Sequence, residues 1–224
     1  MVLPLHGRGN KNGSGRGVKI LAYEKPADPR AKWSYMLIDS SMHLTHNFDV
    51  VAEDGLENIY VGGKEGINVF SMTKGQWKRT STPAVLREKS FGEVSVGRGA
   101  GEEKIIAGIE PMHGNTLALY HTSRMVLTED LNQGHALAVA DLLNTGTDQV
   151  VVGWRQPNGE KKVGIKLFTT TGSPEGRWAD YWIDDNGMAC EDLQVADIDG
   201  DGKKDIIAAG RATHNLKIYW NKSR

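Results

Sequence analysis

The sequence is short of most features that would identify a protein at first reading. A single cysteine, Cys190, stands in 224 residues, so no internal disulfide can brace the fold, which must rest on packing and perhaps on bound metal. Charge of one sign is missing as well. The 27 basic and 28 acidic residues are interspersed and leave a formal net charge of −1. That balance excludes the basic stripe of a nucleic-acid binder and the polybasic surface of a membrane-bound protein. No run approaches about eighteen apolar residues, and the opening MVLPLHGRGN lacks the apolar core and cleavage site of a secretory leader. No long window carries apolar residues at helical spacing, so long helices are not expected. GxSxG, HExxH and CxxC are all missing, and GRGNKNGSGRG, although glycine-rich, lacks the Lys-Ser/Thr pair and the following helix of a phosphate loop.

What is present is a repeat. HNFDVVAEDGLENIYVGGKEGINVFS, GEVSVGRGAGEEKIIAGIEPMHGNTLALYH, HALAVADLLNTGTDQVVVGWRQPNGEKKVGIKLF and EDLQVADIDGDGKKDIIAAGRATHNLKIYW share one layout. Each has an alternating strand, a turn rich in Gly and Asp, a β-branched strand ending in a small residue, a loop, and a strand with an aromatic near its end. Gly62, Gly108, Gly153 and Ala209, taken as markers, lie 46, 45 and 56 positions apart, the period of four-stranded propeller blades. WSYMLID, from Trp33, and WADYWIDD, from Trp178, supply a further strand per unit.

The expected fold is therefore all-β, a single β-propeller over residues 1–224. A half-blade occupies 1–25, and four-stranded antiparallel blades occupy about 33–72, 77–121, 124–169 and 177–221. Val18 to Tyr23 aligns with the last strand of a repeat, with no first strand before it, and the C-terminus completes only its own unit. Three outcomes stay open: a piece of a longer propeller, a half-blade completed by another chain, or a two-stranded edge. Exposed sheet edges invite self-association.

Two residue sets carry chemistry. In DIDGDGKKD the carboxylates of Asp197, Asp199, Asp201 and Asp205 fall at positions one, three, five and nine, with the Lys203 carbonyl at seven and Gly200 and Gly202 allowing a sharp turn. Calcium takes six to eight hard oxygens, and alternate carboxylates in a tight turn supply most of them from one short segment. No Glu stands at position twelve, where Ala208 sits, so the turn is not an EF-hand. Its counterpart DLLNTGTDQ keeps Asp141 and Gly146 but has Leu143 and Thr145 in place of carboxylates. A single such site suits a structural ion.

The second set is histidine. LPLHGRGN, EPMHGNTL and RATHNLKI place His6, His113 and His214 at one recurring position, and the starts of inner strands carry His43, His46, His135 and Glu191. Only His121 falls outside the two positions. Both positions can come to one face of a propeller. The set reads either as a shared functional face or as a structural histidine repeated by descent from one ancestral blade. If the side chains converge, they suit a zinc-type ion or proton transfer near neutral pH, with His46, His135 and Glu191 as the catalytic candidates. Arg155 and Arg211 flank that face and could grip a carboxylate or sugar oxygens, and Trp154, beside Arg155, is the candidate for sugar stacking.

VADIDGDGKKDIIAAG resembles the turn of the FG-GAP or VCBS repeat, the unit of seven-bladed propellers such as the integrin α head. That resemblance implies a propeller and calcium, an extracellular or periplasmic setting, and no single activity. MHLTHNFDVV, GHALAVADLL and MACEDLQVADIDGDGKKDIIAAGRATHNLKIYWN are similar to the propeller domains of aldos-2-ulose dehydratase-type enzymes, which implies metal binding and action on keto sugars. Two functions follow. One is a calcium-stapled module that binds a carbohydrate or a partner protein through its histidine-rich loop face. The other is a metal-dependent lyase or dehydratase of an oxidised sugar.

Overall fold

The computed structural model describes the chain apart from residues 8, 12, 54, 173–175 and 224, and apart from the side chains of residues 3, 11 and 102. The chain divides into two compact units, Met1–Phe91 and Gly92–Arg224, where the sequence suggested one undivided domain. Among the described residues no helix is long and apolar enough to cross a membrane.

The first unit holds β1 (Val2–Leu5), β2 (Asn10–Lys11), β3 (Ser14–Gly15), β4 (Lys19–Glu24) and β5 (Ser34–Asp39), then β6 (Phe48–Glu53), β7 (Leu56–Gly63), β8 (Gly66–Thr73) and β9 (Gln76–Arg79). β1, β4 and β5 form a three-stranded sheet, β2 and β3 a small hairpin, and β6 to β9 a four-stranded meander. The second unit holds β10 (Glu93–Arg98), β11 (Lys104–Glu110), β12 (Thr116–Tyr120) and β13 (Arg124–Thr128). It continues with β14 (Gly134–Ala140), β15 (Gln149–Trp154), β16 (Gly164–Thr170) and β17 (Trp178–Asp185), and with β18 (Cys190–Ala196), β19 (Asp205–Gly210) and β20 (Asn215–Tyr219). These make two antiparallel four-stranded sheets and a three-stranded one, each in chain order.

The expected blade limits shift by one strand. Ser34–Asp39 does not open a new blade; it pairs with β4, with Leu21 opposite Leu37 and Tyr23 opposite Tyr35. Trp178–Asp185 likewise closes the β14–β17 sheet. Turn chemistry is the reason. Between β8 and β9 stand only Lys74 and Gly75, both at positive φ, the two-residue hairpin turn that matches strand twist and folds the next strand straight back. The four-stranded blades therefore run over 48–79, 93–128 and 134–185, with a three-stranded sheet at each end of the series. The markers also need one change. Ile109, not Gly108, stands where Gly62, Gly153 and Ala209 stand, one residue before the end of the second strand.

Within each unit the sheets pack face on face, and the pairing of faces is always the same. Ala107, Ile109, Leu117 and Leu119 of the β10–β13 sheet meet Val150, Val152, Trp154 and Phe168 of the next sheet. The other face of that next sheet, with Val151, Ile165 and Leu167, meets Cys190, Leu193, Ile206 and Ala208. In the first unit Ile20 meets Ile59, Val61 and Phe70 in the same way. A strand covered on both faces reads as an unbroken apolar run, which is why QVVVGW in β15 shows no alternation and is buried throughout. Each Val, Leu or Ile enclosed this way contributes about 1.5–3 kcal/mol. Gly153 marks a close approach of two sheets, since a Cβ there would stand 2.5 Å from the Cys190 sulfur.

Candidate functional site

In the second unit the starts of the inner strands and the turns leading into third strands come to the same end of their sheets. His135 lies at the start of β14 and Glu191 at the start of β18, while His113, Arg155 and Arg211 lie in the turns after β11, β15 and β19. The structure brings these residues together. His135 Nδ1 is 2.7 Å from the Glu191 main-chain carbonyl. A carbonyl only accepts, so Nδ1 carries a proton in either form of the ring; in the neutral form the lone pair is on Nε2, which stands 3.7 Å from a Glu191 carboxylate oxygen. The His113 ring stacks on His135, with centroids 4.6 Å apart and planes at 20°.

Glu191 is the electrostatic centre of the group. Arg155 Nη1 donates to both carboxylate oxygens, at 2.8 and 2.9 Å, and Arg155 Nη2 donates to the Gln133 side-chain oxygen at 3.0 Å. Arg211 Nη1 approaches at 3.4 Å. Burial alone would raise the Glu191 carboxyl, but the Arg155 hydrogen bond, with the charges of His135, Arg155 and Arg211, holds it below its ordinary value. A carboxylate so held is a poor general base. In this structure the Glu191 carboxylate anchors two arginines, and its main-chain carbonyl holds His135. Arg155, expected to grip a ligand, is committed to Glu191, whereas Arg211 keeps a largely exposed side chain. Gln133, which steadies Arg155, escaped the sequence reading because nothing local distinguishes it; it sits at φ 58 just before β14.

The remaining sequence candidates have surroundings of their own. Trp154 does not lie in a loop. It ends β15, is 1% exposed, donates its indole N–H to the Lys162 carbonyl at 2.8 Å and packs on Trp182, so it belongs to the core and not to a stacking surface. His43, in the first unit, uses both ring nitrogens locally, on Glu65 at 2.6 Å and on the Gly15 carbonyl at 3.1 Å. His6 bonds the Thr45 carbonyl at 2.8 Å. His46 is half-buried in the segment leading into β6. His214 occupies the β19–β20 turn at φ 49, matching the left-handed backbone of His113 at φ 56, but its side chain is exposed.

The acidic turn between β18 and β19 is at the opposite end of its sheet. Asp197, Asp199 and Asp205 each place a carboxylate oxygen within 4.8 Å of the others. Asp197 accepts from the Gly200 and Gly202 N–H groups at 2.8 and 2.9 Å. Asp205 accepts from Ile198 at 3.1 Å and Asn221 at 2.8 Å. The Asn221 and Ile198 hydrogen bonds hold the Asp205 carboxyl below its ordinary value. Asp201 stands outside the trio and accepts from the Lys203 N–H at 3.0 Å, while the Lys203 ammonium reaches the Ser223 carbonyl. Three carboxylates, with Lys222 at 3.4 Å from Asp199, form a donor set that fits a hard cation such as calcium.

Repeated antiparallel sheets, packed face to face with a fixed order of faces, define an all-β protein of the β-propeller class. The chain belongs to the family described as the beta-propeller domain of aldos-2-ulose dehydratase, which it matches over residues 7–123, just over half its length. Of the two resemblances read from the sequence, this is the one the family match bears out. Among solved structures, the alpha-L-arabinanase of Penicillium chrysogenum complexed with arabinobiose superposes with a TM-score of 0.55 at 12% identity, covering 97% of this chain and 74% of that one. At that identity the likeness is one of fold. No curated protein matches.

Proposed function

We propose that this chain binds an oxidised, carbonyl-bearing sugar at the loop end of its second unit. The arrangement of His135, Glu191, Arg155 and Arg211 carries the reading. It offers a tautomer-fixed imidazole beside an exposed guanidinium already oriented by a carboxylate, which suits a ligand rich in hydroxyl and carbonyl oxygens. Membership of a family named for an enzyme of aldos-2-uloses supports the substrate class, and the fold is also that of an arabinanase whose structure holds arabinobiose. Calcium at Asp197, Asp199 and Asp205 serves as a staple, and a secreted or periplasmic setting would supply it.

The dehydratase reading is favoured by one specific feature, the lone pair on His135 Nε2. That nitrogen takes the proton from the carbon next to the carbonyl. A carbon–carbon double bond forms as the bond to the neighbouring hydroxyl oxygen breaks, and the imidazolium returns its proton to the departing hydroxyl, which leaves as water. A divalent ion of the zinc type, for which His113 offers an imidazole ligand, would supply polarisation of the carbonyl.

The test is to incubate the chain, with and without added divalent metal, with a hexos-2-ulose, following binding by calorimetry and the conjugated enone by its ultraviolet absorbance. Saturable binding that Arg211→Met weakens, together with enone formation that His135→Gln abolishes, is the expected result. Binding without enone under any metal leaves a binding module. Failure to bind the sugar at all overturns the proposal.

A further inference from the structure

Between β13 and β14 the chain crosses the loop end of the second unit in a short segment, residues 129–133, that is fastened on both sides. On one side Leu131 is buried in the core and its N–H donates to the Asn115 carbonyl at 3.0 Å, while the Gly134 N–H donates to the Gly114 carbonyl at 2.9 Å. These bonds tie the segment to the turn that carries His113. On the other side it receives the loop between β15 and β16, residues 155–163, which begins with Arg155. The Arg155 and Gln156 N–H groups donate to the Gln133 and Asn132 carbonyls at 3.3 and 3.2 Å, and Asn132 Nδ2 donates to the Pro157 carbonyl at 2.8 Å.

The far end of that loop is held by Asp130, an exposed carboxylate. One of its oxygens accepts the Gly159 N–H at 2.9 Å and the other accepts Asn158 Nδ2 at 3.0 Å. Asn158 also closes the loop on itself. Its Oδ1 accepts the Glu160 and Lys162 N–H groups at 3.1 and 3.0 Å, and its own N–H donates to the Lys162 carbonyl at 2.9 Å. The tip is thus a preformed turn, and Asp130 attaches it as one body to the 129–133 segment. Gly159 is an independent sign that this contact is built. Its backbone lies outside the left-handed region, so φ does not call for glycine, but a Cβ there would stand 2.7 Å from the Asp130 carboxylate. The room left by the missing side chain is the room Asp130 occupies.

The Arg155 guanidinium spans Gln133 on one side and Glu191 on the other, and a rigid fork on a long flexible stem keeps both partners only if its own main chain is held still. We propose that Asp130 is a positioning residue for the site: by fastening the 155–163 loop it sets Arg155, and through the Arg155–Glu191 pair it sets the direction in which Arg211 is presented. The effect on a ligand rests on the sugar-binding reading above, whereas the effect on Arg155 stands without it.

The experiment follows the Arg155 guanidinium by nitrogen magnetic resonance in the whole chain without ligand, and then sugar binding by calorimetry. Held between Gln133 and Glu191, the wild-type group turns slowly about its Cζ–N bonds, so its two Nη atoms give separate signals. Asp130→Ala and Gly159→Ala, which undo the same contact from its two sides, are each expected to merge them. Asp130→Asn, which keeps an acceptor for the Gly159 N–H, should recover part of the separation, and Glu129→Ala, at the exposed neighbouring residue, should leave it intact. Asp130 and Gly159 are both exposed, so unchanged circular dichroism is expected and serves as the check on folding. With a hexos-2-ulose, Asp130→Ala and Gly159→Ala should weaken binding about two- to tenfold, the conformational cost of ordering one long side chain that the wild type holds in place beforehand. Merged signals in the wild type, separate signals in both Asp130→Ala and Gly159→Ala, merging in Glu129→Ala as well, or wild-type sugar affinity in the two variants overturns the proposal. If the wild type binds no hexos-2-ulose, the sugar reading fails on its own and the Arg155 signals decide the role of Asp130.

Discussion

Gln149 and Asp205 hold the same place in successive sheets and close the same turn by different means. Gln149 accepts the Leu142 N–H at 2.7 Å through its side-chain oxygen, as Asp205 accepts the Ile198 N–H at 3.1 Å. Asp141 and Asp197 begin the two turns alike, each accepting two N–H groups from the residues ahead. The remaining valence differs. The Gln149 amide nitrogen donates to the Thr147 carbonyl at 2.5 Å, so that turn closes on a neutral amide where the other has a carboxylate. Asp205 has no donor to offer and faces two further carboxylates.

Calcium is therefore expected to stabilise the chain through one turn and not the other. Chelation should lower the thermal midpoint by several degrees, because a ligand that binds only the folded state adds stability by mass action. The variant Asp199→Leu with Asp205→Gln, which rebuilds the Asp141–Gln149 pattern, should fold and lose the calcium response. Scanning calorimetry with and without chelator checks this, and an equal calcium response in the variant would rule the turn out as the site.

Removing the Glu191 carboxylate should cost stability as well as function. Arg155 is largely buried and would lose its ionic partner, leaving only Gln133. Glu191→Ala is expected to destabilise by about 1–3 kcal/mol, the cost of an unmatched buried polar group. Glu191→Gln, which keeps an acceptor, should recover part of this. Urea unfolding of both variants decides it, and equal losses would mean that the charge and not the hydrogen bond matters.

Asp184 clasps the last two sheets of the second unit. It accepts from Lys217 at 2.7 Å, from the Tyr219 hydroxyl at 2.6 Å and from the Gly187 N–H at 2.7 Å, with its side chain nearly enclosed. Burial opposes ionisation, but these donors win and hold the carboxyl below its ordinary 3.8. Its contribution is therefore present above pH 3.8 and is lost as pH falls through the lower folded value. Asp184→Ala should cost about 1–3 kcal/mol, since it leaves the Lys217 ammonium and the Tyr219 hydroxyl without their acceptor. The mutant should also lose part of the acid dependence below pH 3.8, measured by fluorescence-monitored unfolding at about half-unit intervals.

His43 predicts the opposite pH trend in the first unit. The Gly15 carbonyl, then Glu65, raise its pKa above 6.5 by accepting from the charged ring. Its stabilisation is complete below pH 6.5 and is lost as pH rises through the higher folded value. Hydrogen exchange of β7 and β8 amides should quicken across that interval in the wild type and change less in Glu65→Gln. An identical pH response in the two would remove His43 as the cause.

The blade period, the β-branched runs, the hairpin turns and the acidic DIDGDGKKD segment were all legible in the sequence, because each is set by short-range backbone and side-chain preferences. The limits of each blade were not, since the strand after a third strand has no intrinsic mark of which sheet it joins; the Lys74–Gly75 turn decides it by geometry. The face that gathers His113, His135, Arg155 and Arg211 was also legible, as a recurrence of residue types at two places in the repeat. The roles within it were not. Whether Glu191 is a base or an anchor depends on Arg155, which is 36 positions away in sequence and 2.8 Å away in space. Trp154 shows the same limit, because an aromatic beside an arginine at a strand end reads as a binding residue until the neighbouring sheet buries it. Sequence fixes what each strand and turn prefers locally, and only packing between sheets decides which charges meet, which rings are covered and which faces stay open.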